Sequence, residues 1–223
     1  MKIELIGTIN TRDYSSLINK DGLKIKDGVL FRSDKLNNLT LKDIEKIKEL
    51  KIKQIIDFRS KKEKFKEPNI IINGIKYIEL PIEIDDKFIQ DLLKFVNENN
   101  YENVRLLMCD FYKKIITNHY STYKNFLKIL LMNSVPTLFH CTAGKDRTGI
   151  ASLFILYLLD FSMDTIINDY LLSNNYIDID KVKNKLIDTN IDDKLKKLIF
   201  KVDKSYIQTS IDEIIQKYSC IDN

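Results

Sequence analysis

The sequence is short of the residues that would make it a metalloprotein, a disulfide-bonded miniprotein or a membrane span. Its 223 residues include no tryptophan, only two histidines and only three cysteines. The cysteines are odd in number and show neither metal nor disulfide spacing, which favours a reducing compartment. Two histidines give a zinc site little to be built from, so neither metal nor cofactor is expected. Six glycines and three prolines leave little room for long linkers, and there is no internal repeat or low-complexity tract. The longest apolar run, Ile150 to Leu159, falls far short of the roughly 18–20 residues that cross a bilayer. The opening MKIELIGTIN lacks the apolar region of a secretory signal. Cytoplasmic residence is therefore expected, with signal-independent export left open.

What remains is ordinary globular composition, 44% hydrophobic and 30% charged, in a chain long enough for one sizeable core. The net charge is +4, and a dense basic stretch runs through Lys46, Lys48, Lys51, Lys53, Arg59, Lys61, Lys62, Lys64 and Lys66. Interspersed acids make this a solvated face in the plainest reading. The sharper reading is guidance of anionic substrates, including phospholipid head groups at a membrane surface touched only transiently. No nucleic-acid-binding fold signature accompanies the charge, so nucleic acid is not an expected partner.

Short β-branched or aromatic segments predict strands at Val29–Phe31, Ile52–Asp57, Ile75–Leu80 and Val135–Phe139. Thr40 with Asp43, and Ser60 with Glu63, have the spacing of helix starts. Apolar residues at three- and four-residue spacing predict helices over Asp86–Asn97, Glu102–Asn118 and Thr122–Met132. Arg147–Leu159 is apolar nearly all round and is expected to be central and buried. Amphipathic helices follow from Met163. Strands alternating with helices imply a layered α/β domain. Cys109, inside VRLLMCDFY, is expected in the core, Cys220 to be incidental, and His119 to cap a helix end or lie on the surface.

Between the last strand and the buried helix lies His140 to Gly149, HCTAGKDRTG. A loop opening onto a helix N-terminus offers unpaired N–H groups and the positive end of the helix dipole, so Thr142 through Arg147 can surround a phosphate. Gly144 lets the loop bend. Arg147 supplies a planar fork matched to two phosphate oxygens. Thiols at helix N-termini beside cations ionise readily, which makes Cys141 the candidate nucleophile. The Thr148 hydroxyl could donate to a departing sulfur, and His140 could orient the thiolate or the loop backbone.

These residues resemble the signature of the cysteine-based protein tyrosine phosphatase superfamily. The Lys145–Asp146 pair is most similar to the bacterial tyrosine/serine phosphatases, which include a secreted enzyme of tubercle bacilli and some members that accept phosphoinositides. NTRDY at Asn10, FRSDKL at Phe31, and DFRS at Asp57 with Glu63 resemble further elements of that family. The resemblance implies a three-layer phosphatase fold with a central sheet of about four or more strands, and a single phosphatase domain over residues 1–223. Its helical C-terminal part, 163–223, is expected to be shortened or missing its last helices.

The resemblance further implies a phosphatase acting on phosphotyrosine through a phosphocysteine intermediate, extending to phosphoserine, phosphothreonine and phosphoinositides. Cys141, Arg147 and Asp146 are the expected catalytic residues. His140, Thr142, Ala143, Gly144, Lys145 and Thr148 are expected around the substrate. Asp146, inside the loop, is the first choice of general acid against a role in bonding the loop backbone. Asp57 is the runner-up against a salt bridge to Arg59, ahead of Asp34, Asp85 and Asp86. Lys145 either meets a second anionic group or faces solvent. The alternative function is a catalytically weak module that binds phosphorylated protein or lipid without turning it over.

Overall fold

Five short strands carry the fold in the computed structural model, which describes residues 1–179 and 191–218. They are β1 (Arg12–Asp13), β2 (Leu30–Ser33), β3 (Gln54–Asp57), β4 (Lys76–Glu79) and β5 (Thr137–His140). The helices among the described residues are α1 (Leu41–Glu49), α2 (Lys61–Lys66), α3 (Asp86–Asn97), α4 (Tyr101–Met132), α5 (Arg147–Leu158), α6 (Met163–Leu171), α7 (Ser173–Tyr176), α8 (Asp193–Phe200) and α9 (Lys204–Tyr218). None of them is long and apolar enough to cross a membrane.

The sheet runs β1-β2-β5-β3-β4, with β1 antiparallel to β2 and every other pair parallel. Register places Leu138 of β5 between Phe31 and Ile55, and Phe139 between Arg32 and Ile56. Because side chains alternate along a strand, these two rows face opposite sides. The Leu138 row packs with Ile47 of α1 and with Leu5, Leu36, Leu39, Ile52 and Ile72. On the other side Phe139 stacks on Tyr14 and meets Phe126 of α4, with ring centroids 5.2 Å apart. Fully burying side chains of this kind stabilises by about 1.5–3 kcal/mol each. Helices thus cover both faces, giving a three-layer α/β fold with β5 at its centre.

The four strands predicted from sequence are β2 to β5, with ends displaced by one or two residues. Both expected helix starts are capping boxes, Thr40 with Asp43 for α1 and Ser60 with Glu63 for α2. The helices predicted over 102–118 and 122–132 are one element, interrupted only where His119 leaves helical geometry at φ −125 and ψ 21. His119 therefore marks a kink rather than a helix end. Cys109 is half-buried, not core. The buried stripe of α4 runs through Val104, Met108, Tyr112 and Ile115, which leaves position 109 to one side.

The chain divides into two compact units, residues 1–83 with 120–166, and 84–119 with 167–223. The first holds the sheet and the loop after β5. The second has its own core of Leu92, Val96, Val104, Leu195 and Ile199. A buried tyrosine group adds to it, with Tyr170 donating to the Tyr112 hydroxyl at 2.6 Å and Ser210 of α9 to the Tyr112 carbonyl at 2.9 Å. The helices expected from Met163 onward are α6 to α9 where described. Residues 180–190 and 219–223, Cys220 among them, lie outside the described residues.

Candidate active site

Strand β5 ends at His140, and the chain turns through Cys141 to Asp146 before entering α5. Gly144 occupies this turn at φ +65, and a Cβ built on it would sit 2.5 Å from the Ser33 carbonyl oxygen at the end of β2. Only glycine satisfies both the backbone angle and the close approach.

The carbonyls of Cys141 to Gly144, the first four of the turn, are held from outside. His140 Nδ1 lies 3.2 Å from the Cys141 oxygen. The Lys35 amide donates to the Thr142 oxygen at 3.1 Å. Asn10 Nδ2 donates to the oxygens of Ala143 and Gly144 at 3.0 and 3.1 Å, and Arg32 Nη2 to Gly144 at 2.7 Å. The Ile150 amide donates to the Asp146 oxygen as the first helical bond of α5, and the buried Tyr123 hydroxyl donates to the Arg147 oxygen. The peptides are all trans, and a planar trans peptide points its N–H opposite to its C=O. Carbonyls drawn outward therefore turn the following N–H groups toward the centre of the loop, the arrangement that suits an anion at a helix N-terminus.

Arg147, in the first turn of α5, is nearly buried and is clamped by Glu63 of α2. Its Nη1 and Nη2 donate to the two carboxylate oxygens at 2.7 and 2.8 Å. The Thr142 hydroxyl donates to the same carboxylate, so Glu63 joins both ends of the loop to the start of α2. Burial would raise the Glu63 carboxyl, but the hydrogen-bonded Arg147 guanidinium outweighs it and holds the group well below its ordinary range. Burial likewise works against the charged guanidinium, yet Glu63 pushes Arg147 above its ordinary value. The planar cation is thus fixed in place before any ligand arrives.

Behind the loop, Asp57 at the end of β3 accepts from Arg59 Nε and Nη2 at 3.0 and 2.8 Å. Burial raises the Asp57 carboxyl, but at the low pH where it titrates the positive fields of His140, protonated only there, and of Arg59 outweigh burial and lower the group overall. His140 is wholly buried, and burial pushes its imidazole down to about 4, so the ring is neutral at physiological pH. Asp34 is buried as well and accepts the amides of Ile9 and Asn10 at 3.1 and 3.0 Å. Burial lifts its carboxyl to about 6. Among the described residues, no group of three or more His, Cys, Asp or Glu side chains is placed to hold a metal ion.

Residues 3–223 match the model of the tyrosine phosphatase family. The chain belongs to that family. It is 28% identical over 165 residues to a protein of Cupriavidus necator named as a tyrosine-protein phosphatase, covering 74% of this chain and 60% of that protein. It is 28% identical over 196 residues to the triple specificity protein phosphatase PtpB of Mycobacterium tuberculosis, covering 78% of this chain and 70% of that one. The chain thus spans less than two thirds of the Cupriavidus relative. Among solved structures, the core catalytic domain of the Saccharomyces cerevisiae PP-IP phosphatase Siw14 aligns with 97% of this chain and 96% of its own, at 16% identity and a TM-score of 0.40.

In this tyrosine phosphatase family member the expected residues fall as follows. Cys141, buried at the base of the loop, Thr142 to Asp146 and Arg147 share one turn. Lys145 is not solvent-facing: its Nζ donates to Asp146 Oδ1 at 2.8 Å, with side-chain exposures of 6% and 18%. Asp146 stands at the N-cap of α5 without a side-chain capping bond. Thr148 Oγ1 is buried and has no hydrogen-bond partner among the described residues, so it makes no bond to the Cys141 sulfur. The His140 ring touches loop backbone rather than the loop interior. Asp57 makes the salt bridge to Arg59. Asp85 caps α3 by accepting the Lys87 amide, and Asp86 begins that helix.

The sequence pointed to Glu63 as a helix-start residue and as part of a family-like element, but not as the partner of Arg147. Asn10 and Arg32 stood in motif-like elements with no assigned contact, and Asn69 was not singled out at all. The polar type and family-like spacing of Asn10 and Arg32 were the available signal. Asn69, following Pro68 in an irregular segment, carried none.

Proposed function

We propose that the chain hydrolyses phosphomonoesters through a phosphocysteine intermediate. The Cys141 thiolate attacks phosphorus in line, the sulfur–phosphorus bond forms, and the bond to the leaving oxygen breaks. The Arg147 guanidinium and the N–H groups of the loop hold the charge that spreads over the equatorial oxygens. Asp146 gives its proton to the leaving oxygen and then takes one from the water that attacks the phosphocysteine, releasing inorganic phosphate and restoring the thiolate. Neither metal nor cofactor enters these steps.

The observation that carries this reading is the outward hold on successive loop carbonyls together with Arg147 clamped by Glu63. That arrangement is costly to build and suits a tetrahedral anion above a cysteine. Phosphotyrosine is the primary substrate class of the proposal. Phosphoserine, phosphothreonine and phosphoinositides extend it, with Lys145 as the cation that meets a second anionic group. Purified protein assayed on an aryl phosphate, phosphotyrosine and phosphoserine peptides and phosphoinositide vesicles tests each part. Vanadate-sensitive release of phosphate is expected. Phosphopeptide binding without turnover would leave only a binding module, and activity on phosphotyrosine alone would remove the extension.

A further inference from the structure

We infer that Asn69 is a positioning residue of the active site: its side-chain NH₂ fixes the proton of His140 on Nδ1, and that proton holds the Cys141 carbonyl away from the loop interior. The orientation of the Asn69 amide is settled by its neighbours. Arg59 Nη2 lies 2.7 Å from Asn69 Oδ1, and Asp57 Oδ2 lies 2.9 Å from Asn69 Nδ2. A guanidinium only donates and a carboxylate only accepts, so the amide cannot be turned over. Its NH₂ then also faces His140 Nε2 at 3.3 Å.

A nitrogen that accepts from an NH₂ carries no proton of its own, and in a neutral ring the proton must then sit on the other nitrogen. That nitrogen, Nδ1, is the one beside the Cys141 oxygen at 3.2 Å. The opposite tautomer fails at both ends. It would set two lone pairs against each other at Nδ1 and Cys141, and Nε2 is 3.6 Å from Asp57 Oδ2, beyond hydrogen-bonding reach. The chain of dependence runs from Arg59 through Asn69 and His140 to the first peptide of the loop. Trans planarity then aims the Thr142 N–H at the loop centre. Asn69 touches no reacting atom and acts only through His140.

The catalytic consequence rests on the phosphatase reading, whereas the tautomer does not, and the experiment separates the two. The full chain labelled with ¹⁵N-histidine contains two rings, and His119→Gln assigns them. Long-range ¹H–¹⁵N correlation at neutral pH is expected to show His140 with its proton on Nδ1. Asn69→Asp keeps the size and the bond from Arg59, and its ionised carboxylate only accepts, so at neutral pH the proton is expected to move to Nε2. Tungstate binding should then weaken by roughly five- to tenfold, the worth of one carbonyl hydrogen bond.

An Nε2-protonated parent ring overturns the inference without any variant. So does an unchanged tautomer in Asn69→Asp, or a changed tautomer with undiminished tungstate affinity. If the tautomer and tungstate results are as expected while aryl phosphate is not hydrolysed, the inference stands and the phosphatase reading falls.

Discussion

Replacing Glu63 by alanine strands the Arg147 guanidinium in a nearly buried place. Arg147 and Glu63 meet through two hydrogen bonds of 2.7 and 2.8 Å, with side-chain exposures of 5% and 26%. Removing one member of a buried pair costs roughly 3–5 kcal/mol, and the partial exposure of Glu63 places this case at the low end, about 3 kcal/mol. In a chain of this size that is a fall in Tm of roughly 6–12 °C. Activity should fall further than stability suggests, because the freed guanidinium no longer stands ready for two phosphoryl oxygens. A displacement of that kind lowers kcat/KM by about a hundredfold.

The effect also has a pH signature. A carboxyl held below its ordinary value stabilises the fold above that value and loses the contribution as the pH falls toward the folded one. The gap between parent and Glu63→Ala should therefore narrow below about pH 4. Glu63→Gln, which keeps an acceptor, should lose less than Glu63→Ala. Thermal unfolding and aryl phosphate kinetics read both quantities. A variant with parental Tm and parental kcat/KM would refute the claim that Glu63 holds the arginine.

Asp34 and His140 titrate in opposite senses: the first is raised to about 6, and the second is lowered to about 4. A raised acid loses stability as the pH climbs from its unfolded value to its folded one, whereas a depressed histidine gains stability between about pH 4 and 6.5, so the two nearly cancel. Asp34→Asn should unmask the histidine slope, a rise of about 3 kcal/mol from pH 4 to 6.5 in chemical denaturation, while the parent stays comparatively flat. Gly144→Ala meets both positive φ and the Ser33 carbonyl. It should be destabilised by at least the roughly 1–2 kcal/mol of a left-handed residue, seen as a lower unfolding temperature, and tungstate binding should be lost. Asp146→Asn should lower kcat by about 10²–10⁴-fold on alkyl phosphates and far less on aryl phosphates with good leaving groups, as rate against leaving-group pKa will show.

Local signals were legible in the sequence because their causes are local. The capping boxes at Thr40 and Ser60, the β-branched runs of β2 to β5 and the apolar surface of α5 each depend on residues a few positions apart. Strand β1 was not legible: two polar residues, Arg12 and Asp13, pair with β2 without any alternation of their own. The helix α4 bends at His119 yet continues on both sides, so a gap in periodicity resembled a break. The loop itself was readable as ten consecutive residues. Its supports were not, since Asn10 reaches Ala143, Arg32 reaches Gly144 and Glu63 reaches Arg147 across long stretches of chain. Lys145 shows the same limit. A lysine inside a loop reads equally as a contact to a second anion or as solvent-facing, and only the fold turns it onto Asp146.

Rapid-quench trapping during turnover of a ³²P-labelled phosphotyrosine peptide, followed by peptide mapping, tests the covalent step most directly. Label is expected on the peptide carrying Cys141, forming and decaying at rates consistent with turnover and absent from Cys141→Ser. Steady turnover with no label on that cysteine, or turnover that survives Cys141→Ser, would contradict it.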